Sequence, residues 1–463
     1  SGPIPWPATA PRRRIPGRPG AAVHAGRTAD AAGSVSIATS RTGVTYRPRV
    51  PTLTQMTAAA RRVVAPTAVE VVVQAARAAL AAERGSAGDA STPGAADDAS
   101  RIGPVGWQRA NAVEIVRAAR IHRVVGLLVE RSAAIGVPPE VHDALRAVAR
   151  QEAVAGLRLA AQTVQVAAVL AAAGVANLAV KGSALSVQST GSVTGRVSVD
   201  VDVLIRPDDL AAAHDALTAA GWSGGRLPEP GRHRRWYQAM RRERTYLPAR
   251  AGGDQRRPDA AAIDLHWRLG WHARPLPGTD TLLGRSAQVT IAGARVDTLS
   301  LPDALAAACY HLAVDRYARL RQFVDVARLV AQPGAAAPVD ASWRLRRVMG
   351  ESIALTDALL GPLPRAAAFV PAGAVDLDRL VGRWRSASVR QEWTVDDLSL
   401  AQMVGVYADS ARFAGVPAAG LMALTDGLLP PERIEADGAG GVVATVAGEI
   451  GDLVRRRVLG RTQ

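Results

Sequence analysis

Two aspartates, Asp200 and Asp202, stand two residues apart in "RVSVDVDVLI" (196–205). Valines take the odd positions there, and Ser198, Asp200 and Asp202 take the even ones. That alternation predicts a strand with one apolar face, and residues two apart on a strand leave the same face. Two carboxylates on one face repel each other unless a cation neutralises them. Hard oxygen donors of this kind suit Mg²⁺, or Mn²⁺, with water and phosphate oxygens as the remaining ligands. A third carboxylate on a neighbouring strand would complete a two-metal site, with ions about 3.5–4 Å apart holding the attacking and leaving oxygens of an in-line displacement. Asp264, inside "IDLHW", is the candidate. Taken alone, an Asp-x-Asp pair equally describes a solvated strand face.

An upstream stretch adds weight. "NLAVKGSALS" (177–186) holds Lys181, the only lysine in a chain whose other 55 cationic side chains are arginine. It reads as a short β-like run followed by a helix. Free backbone N–H groups at such a helix start make an anion site. Gly182 permits close phosphate approach, Ser183 can cap the helix and donate to a phosphate oxygen, and Lys181 offers a compact point charge where arginine would present a planar fork. The order Lys-Gly-Ser lacks the G-x-x-x-x-G-K-[ST] frame, which excludes a P-loop.

These residues need elements to position them. Apolar spacing predicts helices over 66–83, from Trp107 to about Gly174, over 208–222 and over 300–332. In "VEIVRAARIHRVVGLLVERSAA", Ile115, Ala118, Ala119, Val125 and Leu128 fall close to helical spacing. Ser300 and Asp303 predict a capping box. "AAIDLHWRL" (261–269) reads as a strand and "AQVTIAGARVDTL" (287–299) as a hairpin. Residues 223–260 read as Arg-rich and irregular, and the remainder as mostly helical. The expected organisation is a disordered basic arm (1–50), a helix and linker (51–103), a helical region (104–173), an α/β core with a mixed sheet (174–300) and a C-terminal helical domain (301–463).

Composition narrows the class. The formal net charge is +15, and residues 1–50 hold eight Arg against one Asp, about half of that excess. The rest suits a polyanionic ligand such as a nucleotide without requiring nucleic acid. A single cysteine, Cys309, excludes an intramolecular disulfide and a cysteine-rich zinc site. No uncharged apolar run reaches about 18 residues, so no membrane span is expected, and a cytoplasmic setting is.

The segments "KGSAL", "GRVSVDVDVLIRPDDLAAAHDALTAAGW", "IDLHWRL" and "LSLPDALAAACYHLAVDRYARLRQFVDVARLV" together resemble the uncharacterised nucleotidyltransferase family of the DNA polymerase β-like superfamily. Arg196, four residues before Asp200, fits that family's pattern, whereas Val199 departs from its usual small polar residue. The resemblance spans roughly residues 107–332. It implies Gly182 and Ser183 at a nucleoside triphosphate, Asp200, Asp202 and Asp264 at the metals, and transfer of a nucleoside monophosphate. Lys181 and Arg196 would contact phosphate, although Arg196 equally reads as a strand-end ion pair. His266 and His311 stand as acceptor-side candidates, each against a structural alternative. The Arg321–Asp325 spacing predicts an ion pair, and His122 and Cys309 read as core residues.

A small-molecule acceptor is the first expectation. RNA, tRNA or protein is the second, motivated by the basic arm and by "GRHRRWYQAMRRERTY" (231–246), whose aromatics could stack bases. A non-catalytic nucleotide-binding scaffold is the third. Acceptor identity, base preference and oligomeric state are not written in the sequence.

Overall fold

The computed structural model describes residues 65–86, 104–228, 230–249, 260–270, 275–370 and 375–389. The basic arm, most of the 85–100 linker and everything beyond residue 389 lie outside the described residues. A seven-stranded mixed sheet carries the molecule, in the order β3-β4-β5-β2-β1-β7-β6. The strands are β1 (Asn177–Ala179), β2 (Asp200–Ile205), β3 (Trp222–Ser223), β4 (Glu243–Pro248), β5 (Ala262–His266), β6 (Ala287–Ile291) and β7 (Ala294–Thr298). Central β2 runs antiparallel to β1 and parallel to β5. The expected hairpin forms β6 and β7, and its turn residues Ala292 and Gly293 both take positive φ, as a two-residue hairpin turn requires.

The period-2 pattern of β2 sorts its side chains as expected. Val201, Val203 and Ile205 pack with Ile263 and Leu265 of β5 against two helices, α4 (Pro139–Ala172) and α6 (Leu210–Ala219). Leu159, Val166 and Leu170 are the contacts from α4. This helix is long and apolar enough to cross a membrane, yet one stripe of it is buried against the sheet. The polar face of β2 is also covered, because Asp202 is only 6% exposed. The alternative of a solvated Asp-x-Asp face therefore does not describe Asp202.

A helical layer drawn from segments before and after the sheet packs on Leu204 of that second face. Helices α1 (Pro66–Ser86), α2 (Ala112–His122) and α3 (Val125–Glu130) share one core with α9 (Leu301–Val314), α10 (Leu320–Ala331) and α11 (Trp343–Leu360). Ile115, Ala118, Ala119, Val125 and Leu128 are all buried in it. Their apolar spacing spans a break, because Arg123 takes a left-handed conformation between α2 and α3. Residues 300–332 likewise form a helix pair. The capping box does not form: Ser300 Oγ donates to Asp303, whose carboxylate is gripped by Arg285 at 2.6 Å. Residues 223–260 are not irregular throughout, since they hold α7 (Arg232–Met240) and β4.

His122 is fully buried in this layer, and its Nδ1 accepts the backbone N–H of Leu320 at 3.3 Å. Burial, with Arg319 nearby, drops its pKa to about 3. Between pH 6.5 and about 3 the unfolded chain takes a proton that the folded chain refuses, so stability falls with pH across that window. The full loss is at most roughly 5 kcal/mol. Replacing the side chain by an apolar one, His122→Leu, should flatten that limb of the urea-midpoint profile. A limb of unchanged steepness would place the acid sensitivity elsewhere. Cys309 is also fully buried, and burial pushes its thiol up and out of the reactive range.

Candidate active site

Strand register builds the site. In the parallel pair, Asp202 lies opposite Asp264, and Leu204 lies opposite His266. Opposed residues share a face, so Asp200, Asp202, Asp264 and His266 all project together. The antiparallel β4 extends the row, with Thr245 opposite Asp264 and Glu243 opposite His266. Thr245 and Glu243 were missed in a segment read as irregular. Their signal is present in "ERTYLP", where Glu243 and Thr245 alternate with buried Arg244 and Tyr246.

The next segment to reach this face is the turn from β1 into α5 (Gly182–Thr190). Gly182 has φ +49°, and a Cβ there would lie 3.3 Å from the carbonyl oxygen of Asp200. Both the left-handed backbone and the close approach call for glycine. Hence Gly182→Ala should cost roughly 1–2 kcal/mol and push the helix start off the carboxylate strand. A thermal melt within a degree of the parent would remove this constraint. Ser183 does not cap the helix. Ser183 is 3% exposed, and among the described residues its Oγ has no hydrogen-bond partner. A buried hydroxyl beside a helix N-terminus leaves room for an acceptor atom that the described residues do not supply.

Charges across the row are compensated unevenly. Lys181 Nζ lies 3.0 Å from Asp202 Oδ1, and His266 Nε2 lies 2.9 Å from the same oxygen. The other ring nitrogen, Nδ1, is 2.9 Å from Glu243 Oε2. The result is a chain of alternating charge, Lys181–Asp202–His266–Glu243. Burial alone would raise Asp202, but Lys181 and His266 hold it well below the usual carboxylate range. Burial would likewise raise Glu243, and His266 lowers it instead. Burial opposes the imidazolium of His266, but its two carboxylate partners raise its pKa on balance. Among the described residues Asp200 and Asp264 form no ion pair; Lys181 and Arg321 act on Asp200, and His266 on Asp264, only from farther away. Burial, then Asp202 and Asp264, raises Asp200, with Ser198 Oγ donating to it at 3.3 Å. Burial raises Asp264 as well, against a 2.6 Å hydrogen bond from Thr245.

Several expected site residues take other roles. Arg196 pairs with Asp325 at 2.9 Å, and both side chains are more than nine-tenths buried, so the ion-pair alternative describes it. Arg321 instead donates Nη1 to the carbonyl of Val197. His266 is 0% exposed, and its Nε2 lies 2.9 Å from Asp202 Oδ1, which fits the structural alternative. His311 has a buried Nε2 without a hydrogen-bond partner among the described residues. Burial first, then Lys181 and Arg242, keeps it neutral. Lys181 contacts a carboxylate. In 231–246, Tyr237 and Tyr246 are buried and cannot stack an external base, and the side chain of Trp236 lies outside the description.

Among the described residues, no three His, Cys, Asp or Glu side chains are gathered at metal-ligand spacing. The donor chemistry nevertheless fits a hard divalent cation, because Asp200 and Asp264 are oxygen donors on the same face as Asp202 whose pKa values are raised despite the hydrogen bonds and cations near them. Both contacts to Asp202 fall on Oδ1.

A mixed sheet with a carboxylate row beside a Gly-Ser helix start defines a nucleotidyltransferase-type fold. The chain belongs to the uncharacterised nucleotidyltransferase family, whose profile matches residues 108–361, more than half of its length. No curated protein and no solved structure matches it.

Proposed function

We propose that the chain transfers a nucleoside monophosphate from an NTP to a hydroxyl of a small-molecule acceptor, with Mg²⁺ or Mn²⁺. One observation carries this reading. The Gly182–Ser183 turn, with its unpartnered hydroxyl, touches the strand that presents Asp200 and Asp202. Anion-binding and cation-binding groups therefore meet at one place, as a metal–triphosphate complex requires.

Asp200, Asp202 and Asp264 would hold the cations, which supply charge neutralisation at the phosphates when bound. The backbone N–H groups after Lys181 and the Ser183 hydroxyl would hold β/γ phosphates. Lys181, which stands beside Asp202, would place its charge at a phosphate oxygen. The acceptor oxygen forms its bond to the α-phosphorus as the bond to the β-phosphate oxygen breaks. Pyrophosphate leaves, and Asp264 takes the hydroxyl proton. Its raised pKa suits that task. His266 and Glu243 orient Asp202. Positioning and charge neutralisation do most of the work.

The test is an NTP titration of the full chain with and without Mg²⁺, read by thermal shift and by pyrophosphate release. Lys181→Arg should weaken NTP binding about tenfold, because a planar fork replaces a point charge. NTP binding of equal strength without any divalent ion would refute the metal-dependent reading. No nucleotide shift at all would favour a scaffold that has kept only the fold.

A further inference from the structure

A cleft of about 930 Å³ opens between α2, α4 and the segment leading into β2. Four guanidinium groups line it: Arg117 and Arg120 from α2, Arg123 from its left-handed cap, and Arg319 from the turn before α10. Glu140 and Glu152 of α4 stand among them. Glu152 Oε2 is buried, without a hydrogen-bond partner among the described residues. Burial raises this carboxyl, while Arg120 and Arg123 oppose the rise. A narrower recess of about 30 Å³, also lined by Arg123, Glu152 and Val197, continues toward Arg196 and Asp325.

Two demands follow from the lining. Four arginines from two chain segments outnumber the two glutamates, so the lining carries a net positive charge that suits a ligand with phosphate or carboxylate groups. The unpaired carboxylate oxygen calls for a hydrogen-bond donor on the same ligand. The volume is that of a small-molecule site, and the two glutamates would repel a continuous phosphate backbone. The cleft also reaches the segment that leads into β2 and its carboxylates. Val197 forms part of its wall, and the next residue, Ser198, donates to Asp200.

We propose that this cleft binds a small anionic molecule bearing hydroxyl or amine groups, and that this molecule is the acceptor. Its role as acceptor rests on the nucleotidyl transfer proposed above, but its binding does not.

Calorimetry of the full chain with glycerol 3-phosphate and with citrate tests the site, and the two probes separate phosphate from carboxylate recognition. At least one should bind saturably, whereas glycerol should not. Arg120 is exposed, so Arg120→Gln should fold normally and weaken binding about tenfold through loss of one charged hydrogen-bond donor. A second readout needs no variant. Saturating ligand should protect Arg117, Arg120 and Arg123 from phenylglyoxal, mapped by mass spectrometry. Asp200→Asn should leave this binding unchanged, which separates failure of the cleft from failure of the transfer reaction. Absence of protection by either anion would overturn the proposal. So would protection of the same arginines by an RNA oligonucleotide but by neither small anion.

Discussion

Asp200→Asn should abolish nucleotide turnover and raise the melting temperature of the free protein. The two effects have one cause. Asp200 is half-buried beside Asp202 and Asp264, and its pKa is raised by burial and by both neighbours. Its ionised form is therefore less favourable in the folded chain than in the unfolded one. An isosteric amide removes that repulsion and leaves the fold more stable. The charge is nevertheless what a metal–triphosphate complex would use, so turnover should fall roughly a thousandfold or more, as expected for loss of a main electrostatic group. Circular dichroism melts and pyrophosphate release on the same sample check both halves. A variant that keeps its turnover would refute the metal assignment. One that loses turnover and also loses stability would make Asp200 a structural residue. Sites that carry strain for function commonly show this opposition.

The second large effect concerns stability alone. Arg196 and Asp325 are buried partners 2.9 Å apart and 129 residues apart in sequence. Removing one partner strands the other charge in the core, so Arg196→Met should cost about 3–5 kcal/mol. The double variant Arg196→Met/Asp325→Leu should recover much of that loss, because an apolar pair replaces an ionic one. Urea midpoints of the two single variants and the double variant measure the coupling. If Arg196→Met instead left stability unchanged and weakened NTP binding, Arg196 would belong to the phosphate site. The pair also ties the segment before β2 to α10. Positional slack in that segment would reach Asp200 through Ser198.

Local patterns carried far into the fold. The alternation of valine and aspartate gave β2 its two faces, and Ala292-Gly293 gave the hairpin its turn. The spacing of Ile115 through Leu128 identified the buried face of two helices, although not the break between them. That break depends on Arg123 adopting a left-handed conformation, for which arginine has no preference. β4 was hidden by its arginines. A long aliphatic stem lets Arg244 lie buried at 7% exposure while its guanidinium reaches backbone carbonyls.

The candidate site divides in the same way. From the sequence alone came the three acids, the Gly-Ser turn and the singular lysine, because each is a residue type placed by a local period or a single turn. Only the tertiary structure decided how their charges are shared. The parallel register of β2 and β5 sets Asp202 beside Asp264 and lets His266 reach it. The antiparallel register of β4 delivers Glu243 to the same imidazole. The β1–α5 turn directs Lys181 onto Asp202. Each pairing joins strands separated by tens of residues, and strand register is fixed by what the whole sheet buries rather than by any one segment.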